Sequence, residues 1–483
     1  MFKKQTSYAF VKSTFLLAHL TIGLLAKSAI AADTSPGVQP TLASSVGNGA
    51  TTIEPPAKVA MRPDGEEGSA TWWNAHAQAT YVWQQKDAFH APYTGPQSLQ
   101  TQRERGYTFT MTAFLGARLW PGAEFYVNPE GVEGVPLSQL HGLASIQDGE
   151  IQKNGGPQLE TYWARAFLRQ TVNLGGESMH VDDGPNQLGT DYDRRRVVLT
   201  IGRVTQTDLF EKSHYANDPR SQFLDWALIT HGAWDYAADA RAYTVGAAAE
   251  IYWNEWALRA GRFMEPTVAN GTRLDFNIMR HHGDQIEVEH THTLAGLPGT
   301  VRVLVFRNEA NAGNYRDAVN ASLASGTVPD VTTVRKDAAK HGMGVSLEQS
   351  LSSDVGLFAR ASYADDKVEE YAFTEIDDSV SAGASTKGTL WKRANDVAGI
   401  AFASSGLNKS HRDYLAAGGL GGFLGDGQLT KYGREFVMEA YYNWQVRTGA
   451  WLTFDLQQIV NPGYNADRRG PVNVIGGRLH VEL

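Results

Sequence analysis

The chain contains no cysteine, which removes disulfide scaffolds, thiolate metal sites and thiol nucleophiles together. Long hydrophobic sequence is also scarce. Past one short run near the start, nothing reaches the roughly 18 apolar residues that a membrane-crossing helix needs, and mean hydropathy is -0.33. A helical membrane bundle is excluded. Positive charge is not in excess: 43 Lys and Arg face 52 Asp and Glu over 483 residues, without the basic surface of a general nucleic-acid binder. No nucleophile elbow, phosphate-cradling glycine loop or zinc-hydrolase motif is present. None of these absences removes a membrane β-barrel, whose strands place only alternate residues in lipid.

The first residues read as an export address. Lys3, Lys4 and Lys12 precede an apolar stretch over 15–26, and Ala29-Ile30-Ala31 fits a small-x-small cleavage site. A signal peptide over 1–31 is expected. Its removal takes away four lysines and no acid, moving the formal charge from -9 to -13. Pro36, Pro40, Pro55, Pro56 and Pro63 then punctuate a stretch without apolar periodicity, so 32–71 reads as a flexible leader.

From Trp72 onward the chain alternates with period two. Trp73, Ala75, Ala77, Ala79, Tyr81 and Trp83 share one face, opposite Asn74, His76, Gln78, Thr80 and Gln84. The pattern returns from Tyr107 to Leu119, from Tyr243 to Trp253 and from Phe436 to Val446. Runs of about ten residues with aromatics near their ends match a lipid-facing band between aromatic girdles. Strands of soluble sheets average only about five or six residues.

Connection lengths sharpen this reading. Tight turns are expected at Pro121-Gly122, Asn254-Glu255, Leu297-Pro298-Gly299, Ser352-Ser353-Asp354 and Thr448-Gly449. Long segments lie between them, over 86–105, 129–158, 205–242, 265–283, 308–340 and 405–433. Such alternation is that of outer-membrane barrels, with short periplasmic turns and long external loops. The stretches 175–194 and 388–395 break the rule, being periplasmic by count yet not tight. About sixteen strands follow, an all-β transmembrane antiparallel barrel over 72–483, wide enough for an aqueous channel. Ile475, Gly477, Leu479, Val481 and Leu483 form the outer face of a closing strand. Outer-membrane proteins usually end on an aromatic residue, and Leu483 departs from that habit.

Several strings now carry a resemblance. They include Gly116-Ala117-Arg118-Leu119-Trp120-Pro121-Gly122-Ala123-Glu124-Phe125-Tyr126, Ala164-Arg165-Ala166-Phe167-Leu168-Arg169-Gln170 and Tyr215-Ala216-Asn217-Asp218-Pro219-Arg220. Gly232-Ala233-Trp234-Asp235-Tyr236, Gly283-Asp284-Gln285-Ile286-Glu287, His411-Arg412-Asp413-Tyr414 and Asn461-Pro462-Gly463-Tyr464-Asn465 continue the series in order. Together they make the chain resemble the carbohydrate-selective outer-membrane porins of the OprB family. The resemblance implies a sixteen-stranded barrel passing monosaccharides and similar polar solutes down their gradient.

Sugar recognition calls for flat aromatic faces against C–H surfaces and for side chains that direct several hydrogen bonds. The segment 205–242, the third external loop by count, supplies Tyr215, Asn217, Asp218, Arg220, Trp226, Trp234, Asp235, Asp239 and Arg241. It is expected to fold inward and narrow the channel; alternatively Asp218-Pro219 is a turn and the aromatics pack the loop on the wall. From the wall, Arg165 and Arg169 are expected to face inward with Trp163 and Phe167, while Tyr162, Ala164, Ala166 and Leu168 face out. Arg118, Glu124, Tyr126, Glu250 and Arg259 also fall on the interior face. A pore lining is the cheapest place for such charges in a membrane.

No enzyme activity, cofactor or metal site is expected. Expected partners are small sugars, outer-membrane lipid and the outer-membrane assembly machinery; nucleic acid is not one, and monomer and trimer stay open. An exopolysaccharide exporter and a non-selective general porin are the alternatives to a sugar-preferring channel.

Overall fold

The computed structural model describes residues 71–153, 156–365, 367–372 and 374–483. The expected signal peptide, and the leader up to residue 70, lie outside the described residues.

Sixteen strands close into one antiparallel barrel. Its wall runs through β1 (Trp73–Lys86), β2 (Glu104–Trp120), β3 (Ala123–Val135) and β4 (Glu160–Asn173), then β7 (Arg196–Val204), β8 (Thr244–Trp253), β9 (Trp256–Met264) and β10 (His282–Leu294). It continues through β11 (Leu297–Gly313), β12 (Arg335–Ser350), β13 (Val355–Ala364), β14 (Asp378–Gly388), β15 (Arg393–Gly406), β16 (Glu435–Arg447), β17 (Ala450–Val460) and β18 (Val472–Glu482). Two short strands, β5 (Ser178–Val181) and β6 (Thr190–Asp193), form a separate hairpin inserted between β4 and β7. Closure comes from β1 pairing with β18, from Gln78 opposite Glu482 to Lys86 opposite Val474. In hydrocarbon every backbone N–H and C=O must find a partner, so a spanning sheet has to close.

The outward face explains the alternation. Met111, Leu115, Leu199, Ile201, Leu258, Ile286, Val303, Val345 and Leu479 are all exposed. Trp73, Trp120, Trp253, Trp256 and Trp444 stand out beside the tight turns, as interfacial tryptophans do. The apolar core sits inside the barrel, where loop residues such as Phe210, Phe223, Leu228 and Trp234 pack with wall residues such as Leu304, Phe358 and Tyr441.

Four expectations need correction. The first is that 388–395 is not tight: β14 runs to Gly388 and β15 begins at Arg393, leaving a four-residue connection. The turn placed at Leu297-Pro298-Gly299 is at Ala295-Gly296, both with positive φ, and β11 begins at Leu297. Both central residues of a type I′ turn need such φ values, which proline cannot adopt. β3 continues through Pro129 to Val135, so the second external loop starts later than expected. The inward phase of β4 is also broken. Asn128 pairs with Arg165 but Pro129 with Trp163, leaving Ala164 as an extra, unpaired residue. That bulge turns Trp163 to the lipid, 62% exposed, and Tyr162 inward, where its hydroxyl donates to Glu130 at 2.5 Å.

Connections at the tight-turn end are 121–122, 254–255, 295–296, 351–354, 389–392 and 448–449. The exception is 174–195, which carries the β5–β6 hairpin.

Candidate functional site

The third external loop, 205–243, leaves β7 and crosses the lumen before returning to β8. It is held by groups from most of the wall. Arg165 of β4 binds Asp208 through two bonds of 2.5 and 2.7 Å. Glu287 of β10 accepts from the Glu211 backbone N–H at 2.7 Å. Glu348 of β12 accepts from the His214 backbone at 2.7 Å and meets its ring at 3.0 Å. Arg360 of β13 bonds Glu211 at 2.8 Å. Glu439 of β16 caps the backbone N–H groups of Leu224 and Asp225 at 2.5 and 2.9 Å. Arg478 of β18 reaches the Pro219 carbonyl at 2.7 Å.

Glycines of the wall accept loop side chains. A Cβ added at Gly356 would lie 2.0 Å from the Tyr215 ring, and one at Gly344 2.5 Å from His231. Only glycine permits these approaches.

The wall beside the loop is a ladder of alternating charge. Glu250 of β8 meets Arg259 of β9 at 3.2 Å; Arg259 meets Glu287 at 2.7 Å and Glu289 at 3.2 Å on β10. Arg302 of β11 then binds Glu289 at 2.7 Å and Glu348 of β12 at 3.2 Å. Lys212 of the loop lies in this field. Burial pushes its ammonium pKa down, with Arg259 and Arg169 adding to the effect and Glu250 and Asp208 opposing it. Burial also opposes charge on the His214 ring, but its bond to Glu348 outweighs that and raises the pKa. Deeper in the loop, burial and the neighbouring Glu439 push Asp225 up to about 7, while burial lowers His231 to about 4.

The expected site residues divide into three groups. Arg165 faces the lumen and is tied to the loop, with its guanidinium 5.4 Å from the Tyr243 ring centre. Arg220 binds Glu150 at 2.9 Å and Glu130 at 3.4 Å, and with Asn217 and Asp218 it stays part-exposed. Asp218 also organises a turn, accepting from the Arg220 N–H and the Ser221 hydroxyl at 3.0 Å each.

A second group is consumed by packing, as the alternative reading of the loop allowed. Trp234 is 2% exposed against Tyr236, ring centres 4.9 Å apart, and Trp226 also stacks on Tyr236. Asp235 accepts from the Tyr371 and Ala372 backbones and from Lys340. Tyr215 is buried and its hydroxyl meets Ser350 at 2.8 Å. Asp239 is bound by Arg203 at 2.5 Å; Arg241 binds Glu160 at 2.5 Å and covers Tyr162 at 4.4 Å. The sugar-facing role expected of Trp226 and Trp234 is corrected accordingly: neither has a free aromatic face.

The third group, Arg118, Glu124, Tyr126 and Arg169, contacts the β5–β6 insertion at the opposite end of the barrel. Sequence reasoning missed Lys212, His214, Arg302 and Glu348. The string Glu211-Lys212-Ser213-His214, polar and charged at every position, was the available signal. Among the described residues no group of three or more His, Asp or Glu is arranged to hold a metal ion.

The sequence profile described as carbohydrate-selective porin, OprB family, matches residues 99–483. Among solved structures, the high-pH structure of Pseudomonas putida OprB aligns with a TM-score of 0.65 at 16% identity, covering 85% of this chain and 94% of that one. Its low-pH structure aligns at 0.45 and 13%, covering 85% and 93%. Pseudomonas aeruginosa OccK2 in complex with glucuronate gives 0.43 at 8%, covering 85% and 98%. No curated protein matches the chain. At these identities the structural likeness concerns the fold.

Proposed function

The chain belongs to the carbohydrate-selective porin family of the OprB type, and from that premise we propose how its lumen favours sugars. The protein is an outer-membrane β-barrel channel for passive, carbohydrate-preferring diffusion of small polar solutes. Its family and fold are those of a channel rather than an enzyme.

The observation that carries the proposal is the ion-paired ladder beside the third loop. Arg259 and Arg302 are shared among the carboxylates of Glu250, Glu287, Glu289 and Glu348, four acids against two arginines; Glu289 stays part-exposed, and Lys212 and His214 of the loop add positive groups beside the band. Paired charges present directed donors and acceptors without a large field of one sign, which suits neutral polyols over ions. Lys212, His214, Asn217, Asp218 and Arg220 form the loop side of this zone, and Arg165 of β4 adds a wall arginine tied to the loop at Asp208. A loop crossing the lumen with anchors on β4, β10, β12, β13, β16 and β18 fits small solutes better than a polymer passing through.

Swelling of liposomes containing purified protein tests this reading. Glucose is expected to enter faster than an amino acid of similar size, and equal rates overturn the preference. Export with signal-peptide cleavage near Ala31, contact with outer-membrane lipid and delivery by the outer-membrane assembly machinery complete the proposal. Mass spectrometry of the mature chain's first residue checks the cleavage position.

A further inference from the structure

The insertion 174–195 is at the end of the barrel where all other connections are tight, and its tip is inside. Asp183 accepts from Asn74 of β1 at 3.0 Å and meets His76 at 2.9 Å, both on the inward face. Asn74 donates further to the carbonyls of Gly184 and Gln187 at 3.0 and 2.8 Å. Asn128 of β3 donates to the Asn186 side chain at 2.9 Å, and Arg169 of β4 donates to the Asn186 carbonyl at 3.0 Å. The Leu188 N–H donates to the buried Tyr126 hydroxyl at 3.0 Å, and Tyr126 donates to Glu124 at 2.9 Å. Arg118 reaches Thr190 and the Gly189 carbonyl at 3.3 and 3.4 Å. The Leu188 side chain is fully buried among the lumen's apolar residues.

The segment is therefore docked on four adjacent strands and builds a fixed shelf across part of the lumen. Docking it there desolvates polar groups and orders a long stretch of chain, costs that a two-residue turn avoids. Arg169 holds the shelf through Asn186. Its guanidinium lies 5.2 Å from the ring centre of Tyr126, the wall residue whose hydroxyl accepts from the Leu188 N–H.

We propose that the β5–β6 insertion is the second jaw of the constriction, closing the channel from the periplasmic side and setting its size cut-off with Asn186 and Arg169 at the lip. This rests on the channel reading above, but not on any preference for sugars.

The test uses planar bilayers, potassium chloride currents and poly(ethylene glycol)s of graded size added to one side at a time. One variant joins Gly175 directly to Arg195. A milder one, Leu188→Ala, leaves the insertion in place with its apolar anchor cut back. Folding of both is verified by heat-modifiable mobility, so a misfolded deletion leaves the point variant to decide. At least a twofold rise in conductance is expected for the deletion and a smaller rise for Leu188→Ala. Larger polymers should enter from the periplasmic side, while filling from the external side stays as in the wild type. Wild-type conductance and polymer exclusion in a folded variant overturn the proposal and leave the insertion a brace. Currents and polymer entry do not depend on glucose preference, so failure here is distinct from equal swelling rates above.

Discussion

Arg360 of β13 bonds the Glu211 carboxylate of the third external loop at 2.8 Å, with both side chains almost completely buried. Its other nitrogens donate to the carbonyls of Leu228 at 2.8 Å and Ala216 at 2.6 Å. One wall residue thus gathers three separated points of the loop. Replacing Arg360 by Ala leaves Glu211 buried beside fewer donors, a loss of about 3–5 kcal/mol where one partner of a buried pair is removed. The expected outcome is a looser loop: higher single-channel conductance, weaker glucose preference and new protease cleavage within 205–243. Arg360→Lys is expected to recover only part of the effect, since one ammonium cannot span the same three acceptors.

Lys212 should govern ion preference more than flow. It brings a positive charge to a ladder of four carboxylates and two arginines, and burial already weakens its hold on the proton. Lys212→Glu is expected to shift the zero-current potential in a potassium chloride gradient toward cations by several millivolts, a direction set by charge sign. A change in conductance of less than about twofold should accompany it, because the wall anchors stay in place.

Acidification should loosen the loop through His231. Its ring is 1% exposed, packs over Gly344 and faces Glu211 at 3.9 Å, with Arg360 and Arg302 also acting on it. The folded pKa of about 4 lies below the ordinary 6.5. The folded state therefore binds fewer protons between those values, and stability is full above pH 6.5 and lost as pH falls toward 4. A shift of this size corresponds to about 3 kcal/mol. Melting temperature in detergent should fall across that window in the wild type and less in His231→Phe. Asp225 runs the other way: its folded pKa is raised to about 7, so its contribution is lost as pH rises from about 4 to 7. Asp225→Asn should therefore steepen the acid-side loss that His231→Phe flattens.

Gly356→Val tests the fit between wall and loop. A Cβ there falls inside the Tyr215 ring, so Tyr215 must leave and its hydroxyl bond to Ser350 with it. The barrel should still assemble, because β13 keeps its pairing with β12 and β14. Higher conductance with unchanged circular dichroism is the expected result.

The barrel was legible because lipid dictates one face of every strand. Met111, Leu115 and Leu119 could hardly be arranged otherwise, and tight turns mark one rim. The phase of β4 was not legible, because one extra residue at Ala164 exchanges the faces of Tyr162 and Trp163 without any change in composition. Inward folding of 205–242 could be expected from its length and polarity. Which of its aromatics stay free could not, since Trp226 and Trp234 are covered by partners far away in sequence. The insertion 174–195 was visible only as a turn too long for its place. Its contacts with Asn74, Asn128 and Tyr126 join segments that nothing in the local sequence relates.

The wall glycines have a consequence for how such channels diversify. Gly344 and Gly356 are recesses cut to the shape of His231 and Tyr215, so loop and wall form a matched lock and key within one chain. Grafting the third loop onto another barrel without those recesses would leave it no seat. In this architecture a new specificity cannot travel as a loop cassette; wall and loop have to change together.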